Sequence, residues 1–324
     1  MEGRYTNMSI KIRGTGYYVP EHAVTNDDLS QMVETSDEWI TQRVGVKQRR
    51  ISTGETAADF AVNAAKNALA SSGIKAEELD MIIAATISSD TICPTVAGTV
   101  EKAIGASCPC FDVNSACSGF IFALDIAASY LRQDSIKNVL VIGAERISKL
   151  IDWQDRSTCI IFGDGAGAAV VGKGGGYLSS QLYTAGGDDV IRIPNYNTST
   201  PFAEFAEEMP YIHMEGQQTF KFAVNRIVED IRIAAEKANI AVEDIDFIVP
   251  HQANIRIIEF AAKRLKVPID KFYINIEKYG NTSSASVPIA LAELNESGRL
   301  KEGSIVALTA FGGGLSSAAC IIKW

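Results

Sequence analysis

Cys117 stands inside "FDVNSACSGFIFALDIAASYLRQD" (111–134), where a short apolar run gives way to small residues and then to a helical pattern. Phe120, Ile121, Leu124, Ala127, Ala128 and Leu131 mark one face of that helix, and Phe122, Ile126 and Tyr130 make the other faces apolar as well. Such a helix is expected to be deeply buried. A thiol at its start lies beside unpaired backbone N–H groups and the positive end of the dipole, which lowers a thiol pKa and favours the nucleophilic thiolate. The Cys117 amide can also stabilise an oxyanion formed on an attacked thioester. The alternative is a buried structural cysteine, a common use of the residue. Two possible partners lie far away in sequence. His251 ends an apolar strand in "IDFIVPHQANIRI", and Asn281 follows Gly280 in "KYGNTSSASVPIAL", before a helix. Strand ends are where open α/β sheets put chemistry. By itself His251 reads equally well as a satisfied buried histidine, but a Cys, a His and an Asn at element edges form a plausible nucleophilic set.

The elements that must bring these three together show an internal echo. "ALASSGIKAEELDMIIAAT" (68–86) resembles "AAEKANIAVEDIDFIVPHQ" (234–252) at a shift of 166 residues, with Ile74 on Ile240, Asp80 on Asp246 and Ile82 on Ile248. "SIKNVLVIGA" (135–144) falls on "KEGSIVALTA" (301–310) at the same shift, and Cys117 falls on Ser283. A constant shift over separate blocks implies two halves of like topology, 1–176 carrying the nucleophile and 177–324 carrying the histidine and asparagine. Strands are expected at 81–87, 110–114, 139–144 and 166–172, then at 246–250, 272–275, 305–310 and 318–323. Apolar strands alternating with helices predict an α/β chain with buried, mostly parallel sheets. The polar, proline-bearing stretch 187–215 is expected to cover a site.

Composition narrows the function classes. The 324 residues are 47% hydrophobic and 21% charged, the profile of a compact α/β protein. A net charge of −9 argues against nucleic acid as a partner. The six cysteines, at 93, 108, 110, 117, 159 and 320, form no CxxC pair, so neither a metal site nor a disulfide framework is expected, and a reducing cytoplasm is the simplest home. No run of about 18 apolar residues predicts a membrane span, and the N-terminus lacks the apolar core of a signal peptide. Met8 is a possible alternative start, making residues 1–7 an extension outside the fold. "FGDGAGAAVVG" lacks the G-x-G-x-x-G order and precedes a strand, so it reads as close backbone packing and not as a nucleotide loop.

Taken together and in order, "TSDEWITQRVGVKQRR", "SACSGF", "FGDGAGAA", "MEGQQTFKFAV", "HQANIRI", "YGNTSSASVP" and "AFGGG" resemble β-ketoacyl-acyl-carrier-protein synthase III, from about residue 8 to the C-terminus. The resemblance implies a thiolase-like fold, two duplicated βαβα halves in a five-layer α-β-α-β-α sandwich. It also implies a decarboxylative condensation of acetyl-CoA or another short acyl-CoA with malonyl-acyl carrier protein, which initiates fatty acid synthesis. Both thioesters are substrates and no cofactor or metal is implied; a homodimer is. Cys117 takes the role of acyl-carrying nucleophile, with His251 and Asn281 as hydrogen-bond donors to the malonyl thioester. The Cys117 and Gly313 amides take the oxyanion hole. Trp39, Arg43 and Arg156 take the CoA contacts, where an indole face suits adenine and a guanidinium suits phosphate.

For the carrier protein the resemblance points to Gln252, Arg256, Lys263 and Arg264, three of them on the basic helix "NIRIIEFAAKRLK"; charge alone would make this helix a solvated face. Cys93 and Phe311 take the acyl pocket. Two features depart from the family. "LSSAA" follows the triple glycine where relatives have a Trp-Gly pair, and Cys93 replaces an often bulky residue before Pro94, so a wider acyl pocket is expected. A thiolase would need a second catalytic cysteine, and Cys320 lies in a terminal strand pattern. The remaining alternatives are a relative that primes a polyketide or another secondary pathway, and a binding protein that has lost catalysis.

Overall fold

The computed structural model describes residues 10–324 except 188, 196, 197 and 207, so the expected extension before Met8 lies outside the described residues. The strongly β-forming Val/Ile runs build two sheets. The first comprises β1 (Ile10–Tyr18), β2 (Met81–Ala85), β3 (Cys110–Val113), β4 (Asn138–Glu145) and β5 (Gly165–Lys173), in the order β1-β5-β4-β2-β3. The second comprises β6 (Tyr177–Thr184), β7 (Phe247–Pro250), β8 (Ile305–Gly312) and β9 (Ser316–Lys323), in the order β7-β8-β9-β6.

The sheets are mixed, not mostly parallel as expected. β2 runs parallel to β3 and β4, and β7 runs parallel to β8. The pairs β4–β5, β1–β5, β8–β9 and β9–β6 are antiparallel. Between β8 and β9 only Gly313, Gly314 and Leu315 intervene, and so short a connection admits nothing but an antiparallel return. The strand expected at 272–275 is also absent, apart from a single bridge between Phe272 and Ile248. There the Gln252 side-chain amide takes over the ladder: its Nε2 donates to the Tyr273 carbonyl (3.1 Å) and its Oε1 accepts the Asn275 amide (3.1 Å).

Alternation along the strands divides the core into layers. On β4, Val139 and Val141 face inward while Leu140, Ile142 and Ala144 face the outer helices α1 (Ala57–Ser72) and α2 (Val96–Ile104). Inward, the two sheets sandwich α3 (Gly119–Tyr130) and a long apolar helix near the C-terminus, Ser286–Glu296. Beyond the second sheet, α4 (Gly216–Lys237) and α5 (Ile255–Leu265) pack on Ala307, Ala319 and Ile321; the Ser286–Glu296 helix is α6. The result is five layers, α-β-α-β-α. The 166-residue echo survives in three dimensions: β7 begins at Phe247 where β2 begins at Met81, and α6 follows β7 as α3 follows β2. Phe120, Ile121 and Leu124 on α3 are at most 1% exposed, each burial contributing about 1.5–3 kcal/mol. That packing anchors the turn that carries Cys117. Among the described residues, no helix is long and apolar enough to cross a membrane.

Candidate active site

β3 ends at Val113 and the chain makes a 3-10 turn, Ala116–Ser118, before α3 starts at Gly119. Ala116 takes φ 44°, a left-handed conformation that costs a non-glycine residue energy and turns the following Cys117 toward the end of β8. A Cβ on Gly312 would lie 2.7 Å from the Cys117 nitrogen and 3.0 Å from its Cβ, so only glycine lets β8 pass this close. Ser316 Oγ lies 3.0 Å from the Gly313 carbonyl and 3.1 Å from the Ser115 carbonyl, tying the glycine turn to the cysteine turn. The equivalent turn of the second half, Ser283–Ala285, comes in from the other side before α6. A Cβ on Gly143 of β4 would meet the Ser284 carbonyl at 2.4 Å, so this contact between the halves also needs a glycine.

A cavity of about 1350 Å³ opens between the two turns, and Cys117, His251, Asn281, Phe311 and Gly313 all line it. The structure thus brings the three residues singled out first to one space. His251 follows β7 and is 1% exposed, with its amide donating to the Thr309 carbonyl at 2.7 Å. Its Nδ1 lies 2.6 Å from Ser286 Oγ, and the Phe311 ring meets it edge-on with centroids 5.3 Å apart. Ser286 Oγ also accepts the Gln252 amide at 3.4 Å; with the Ser286 proton assigned to Nδ1, the ring carries its own hydrogen on Nε2. Asn281 Oδ1 accepts the Ser283 amide at 2.8 Å, which leaves the Nδ2 hydrogens as donors.

The resting charges are the reverse of those expected for the thiol. Burial pushes Cys117 up to about 12; Glu145 adds to the shift and the Ser283 hydroxyl opposes it. Desolvation of a sulfur held in the turn ahead of α3 is the largest cause, and a backbone hydrogen bond lowers it in part. Burial likewise pushes His251 down to about 3. The site therefore rests as a neutral thiol and a neutral imidazole.

The other expected residues fall into two groups. Trp39, on the short helix Asp37–Arg43, is 38% exposed and has the Arg156 guanidinium 5.2 Å and the Arg43 guanidinium 5.9 Å from its ring centroid. Ser157, next to Arg156 in the chain, lines the cavity, whereas Trp39, Arg43 and Arg156 themselves do not. Arg256, Lys263 and Arg264 are exposed on α5, and Asn254, which caps that helix, lines the cavity and donates to the Arg43 carbonyl at 3.1 Å.

One assignment needs correction. Gln252 is 1% exposed and its amide is consumed within the fold, including a 2.8 Å bond to the Pro250 carbonyl, so it is not on a docking surface. In the single chain Cys93 is exposed, and its neighbours Thr91 and Ile92 line the cavity; a 2.8 Å bond from Thr91 Oγ1 to the Pro94 carbonyl closes the turn that carries it. Three residues near the site were not anticipated. Ser283 and Ser286 lie inside the motif "YGNTSSASVP" but carry no role there, Ser283 being marked only as the position onto which the shift carries Cys117; Glu145 belongs to no motif, and its one signal is a carboxylate ending the apolar run "NVLVIGAE". Among the described residues no cluster of three or more His, Cys, Asp or Glu could hold a metal ion.

Two duplicated halves in five layers, with a cysteine, a histidine and an asparagine around a cavity at their seam, define a condensing enzyme of the thiolase-like fold. Residues 111–186 match the family described as 3-oxoacyl-[acyl-carrier-protein (ACP)] synthase III, and residues 235–324 match its C-terminal part. A β-ketoacyl-[acyl-carrier-protein] synthase III of Clostridium novyi is 48% identical, over 98% of this chain and 99% of its own length. The crystal structure of the Aquifex aeolicus 3-oxoacyl-[acyl-carrier-protein] synthase III superposes with a TM-score of 0.91 at 44% identity, covering 97% of this chain and 100% of its own. The priming β-ketosynthase of the R1128 polyketide pathway superposes equally well (TM-score 0.91) at 34% identity, covering 98% and 96% of the two chains. This chain belongs to the β-ketoacyl-[acyl-carrier-protein] synthase III family.

Proposed function

We propose that the protein condenses a short-chain acyl-CoA, acetyl-CoA first among them, with malonyl-acyl carrier protein to give 3-oxoacyl-carrier protein, CO2 and CoA, and so starts fatty acid synthesis. In this reading residues 1–176 supply the nucleophile and 177–324 the decarboxylation donors. Cys117 attacks the acyl-CoA carbonyl and keeps the acyl group as a thioester while CoA leaves with the cysteine's proton. CoA is held by Trp39, Arg43 and Arg156. The carrier protein docks on Arg256, Lys263 and Arg264 of α5 and delivers the malonyl thioester. His251 Nε2–H and the Asn281 amide then donate to its carbonyl oxygen. Loss of CO2 puts negative charge on that oxygen, and fixed neutral donors in a dry site favour it without reorganisation. The resulting carbanion attacks the acyl–Cys117 carbonyl, whose oxygen is held by the Cys117 and Gly313 amides, and the thiolate leaves and takes one proton from solvent to restore the resting thiol. With that proton the cycle balances without a cofactor.

The observation that carries this reading is that Cys117, His251 and Asn281 line one cavity, with burial pushing His251 down to about 3 and so keeping it neutral. A histidine of that kind is a hydrogen-bond donor at every physiological pH, as enolate formation requires, and is a poor general base. All six cysteines are free, which fits a reducing cytoplasm. A homodimer belongs to the same reading, and β3 leaves the first sheet with an open edge. The test is the intact mass of the protein after exposure to acetyl-, butyryl- and isobutyryl-CoA. One acyl mass is expected on the wild type and none on Cys117→Ser; acylation of both proteins would overturn the assignment. The likeness to the R1128 enzyme supports a second reading, priming of a polyketide, which preference for a polyketide carrier protein over the fatty-acid one would favour.

A further inference from the structure

Glu145 ends β4 with no exposure to solvent. Among the described residues it forms no ion pair, since Arg146 and Lys149 turn to Asp90 at 2.6 and 3.2 Å. Its Oε2 accepts from Ser88 Oγ (2.5 Å), the Ile87 amide (3.1 Å) and Thr86 Oγ1 (3.3 Å). Its Oε1 faces the other half of the chain, where Ser284 Oγ lies at 2.7 Å and Ser283 Oγ at 3.1 Å. A carboxylate shut away from water without a cation is costly, and an apolar side chain would join the halves with less desolvation. No step described above uses it.

The two serines lead to Asn281. Its backbone is already held by the first half, the amide donating to the Ile161 carbonyl (2.9 Å) and the carbonyl accepting the Gly163 amide (3.0 Å). Those bonds fix where the side chain starts and not how its amide is turned, because the terminal torsion of an asparagine is broad and close to twofold. A half-turn about it exchanges the Nδ2 donors for the Oδ1 acceptor. Among the described residues, the Ser283 amide is the one protein group bonded to that side chain, at 2.8 Å from Oδ1. Ser283 itself takes φ 51°, a left-handed conformation that costs a non-glycine residue energy. The turn that orients Asn281 is therefore strained, and Glu145 Oε1 grips it by two adjacent hydroxyls, the second of which also reaches the Ala85 carbonyl at 2.9 Å.

We propose that Glu145 is a positioning residue for Asn281, holding the Ser283–Ser284 turn so that the asparagine presents its N–H donors, and not its oxygen, to the malonyl thioester. The path runs from Glu145 Oε1 to Ser283 Oγ, and from the Ser283 amide to Asn281 Oδ1, with a hydrogen bond at each crossing between residues. Glu145 touches neither substrate nor reacting atoms. The same short segment also serves the other decarboxylation donor, since Ser286 Oγ lies 2.6 Å from His251 Nδ1. Decarboxylation depends on the pose of Asn281, whereas loading of Cys117 does not, so a residue that acts through Asn281 separates the two half-reactions.

This inference rests on Asn281 being a donor to the malonyl thioester, and the experiment separates the two. CO2 release from malonyl-carrier protein is measured for wild type, for Glu145→Gln, for Ser283→Ala combined with Ser284→Ala, and for Asn281→Ala alone and added to each of the others. Asn281→Ala removes a donor outright and should lower kcat about a hundredfold or more. The serine pair frees the turn from Glu145 and should lower kcat about ten- to a hundredfold, with KM for malonyl-carrier protein nearly unchanged. A glutamine at 145 must keep its oxygen on the Ile87 N–H, which cannot turn away, and so sets its NH2 against the serines; a loss of about three- to tenfold is expected. In the Asn281→Ala background neither change should lower the rate further, because both act through the residue already removed. Loading of Cys117 by acetyl-CoA, read by intact mass, should stay within about threefold of wild type in Glu145→Gln. Either the glutamine or the serine pair carries the test if the other does not fold. Wild-type CO2 release in both, or the same fractional loss with and without Asn281, would overturn the positioning role and leave the donor assignment standing. Wild-type CO2 release in Asn281→Ala would remove both.

Discussion

Replacing Ser286 with alanine should damage decarboxylation and spare acyl loading. The Ser286 hydroxyl is 2.6 Å from His251 Nδ1, and its oxygen accepts the Gln252 amide; with its proton assigned to Nδ1, the imidazole carries Nε2–H toward the cavity. Without it, a buried ring nitrogen loses the hydroxyl that pairs it, a loss of about 1–3 kcal/mol. The ring can then place its proton on Nδ1 and turn a lone pair, not a donor, toward the malonyl carbonyl. If that energy is lost from the decarboxylation transition state, the rate falls about 5- to 160-fold. CO2 release from malonyl-carrier protein measures this step, and intact mass after acetyl-CoA measures loading of Cys117. The reasoning requires the first to drop within that range while the second stays near wild type. Equal losses in both would mean that Ser286 only holds up α6, and no loss in either would mean that the tautomer is set by something else.

Trp39→Ala should raise KM for acetyl-CoA by about 5- to 30-fold with little change in kcat, the worth of roughly 1–2 kcal/mol of stacking and cation–π contact, and should leave acetyl-pantetheine, which lacks the nucleotide, unaffected. Gln252→Ala should lower stability by about 2–4 kcal/mol, because three hydrogen bonds of a buried amide are lost, without changing KM for the carrier protein; urea denaturation and steady-state kinetics separate the two. His251→Asn should flatten the acid limb of stability. The wild-type imidazole stays neutral when folded down to about pH 3 but binds a proton in the unfolded chain below its ordinary value of 6.5. Stability is therefore lost as pH falls through that window, at up to about 1.4 kcal/mol per unit. Parallel urea midpoints for the two proteins at pH 7, 6 and 5 would refute this.

What was legible in the chain follows from what a local pattern encodes. The duplication was visible because both halves keep the helix–loop–strand spacing, and that spacing put Cys117, His251 and Asn281 at element ends. Strand direction was not visible: whether β9 returns beside β8 depends on a three-residue turn whose glycines also serve the site. Neither was the fate of Gln252, since a polar residue after His251 looks exposed until the ladder it completes is known. Charge was the hardest to foresee. A helix start argues for a thiolate, but the depth at which Cys117 is buried comes from elements more than a hundred residues away. Glu145 and Ser283 meet only through packing between the halves, and no motif of either half contains both.

A nucleophile that rests as a neutral thiol is also a protected one. Peroxide and disulfides attack thiolates, so Cys117 should withstand oxidants that an always-ionised cysteine would not survive. Of the six cysteines Cys93, on the turn after Ile92, is the most exposed in the single chain, and a sulfenic acid or a mixed disulfide there would leave the acyl-carrying cysteine intact.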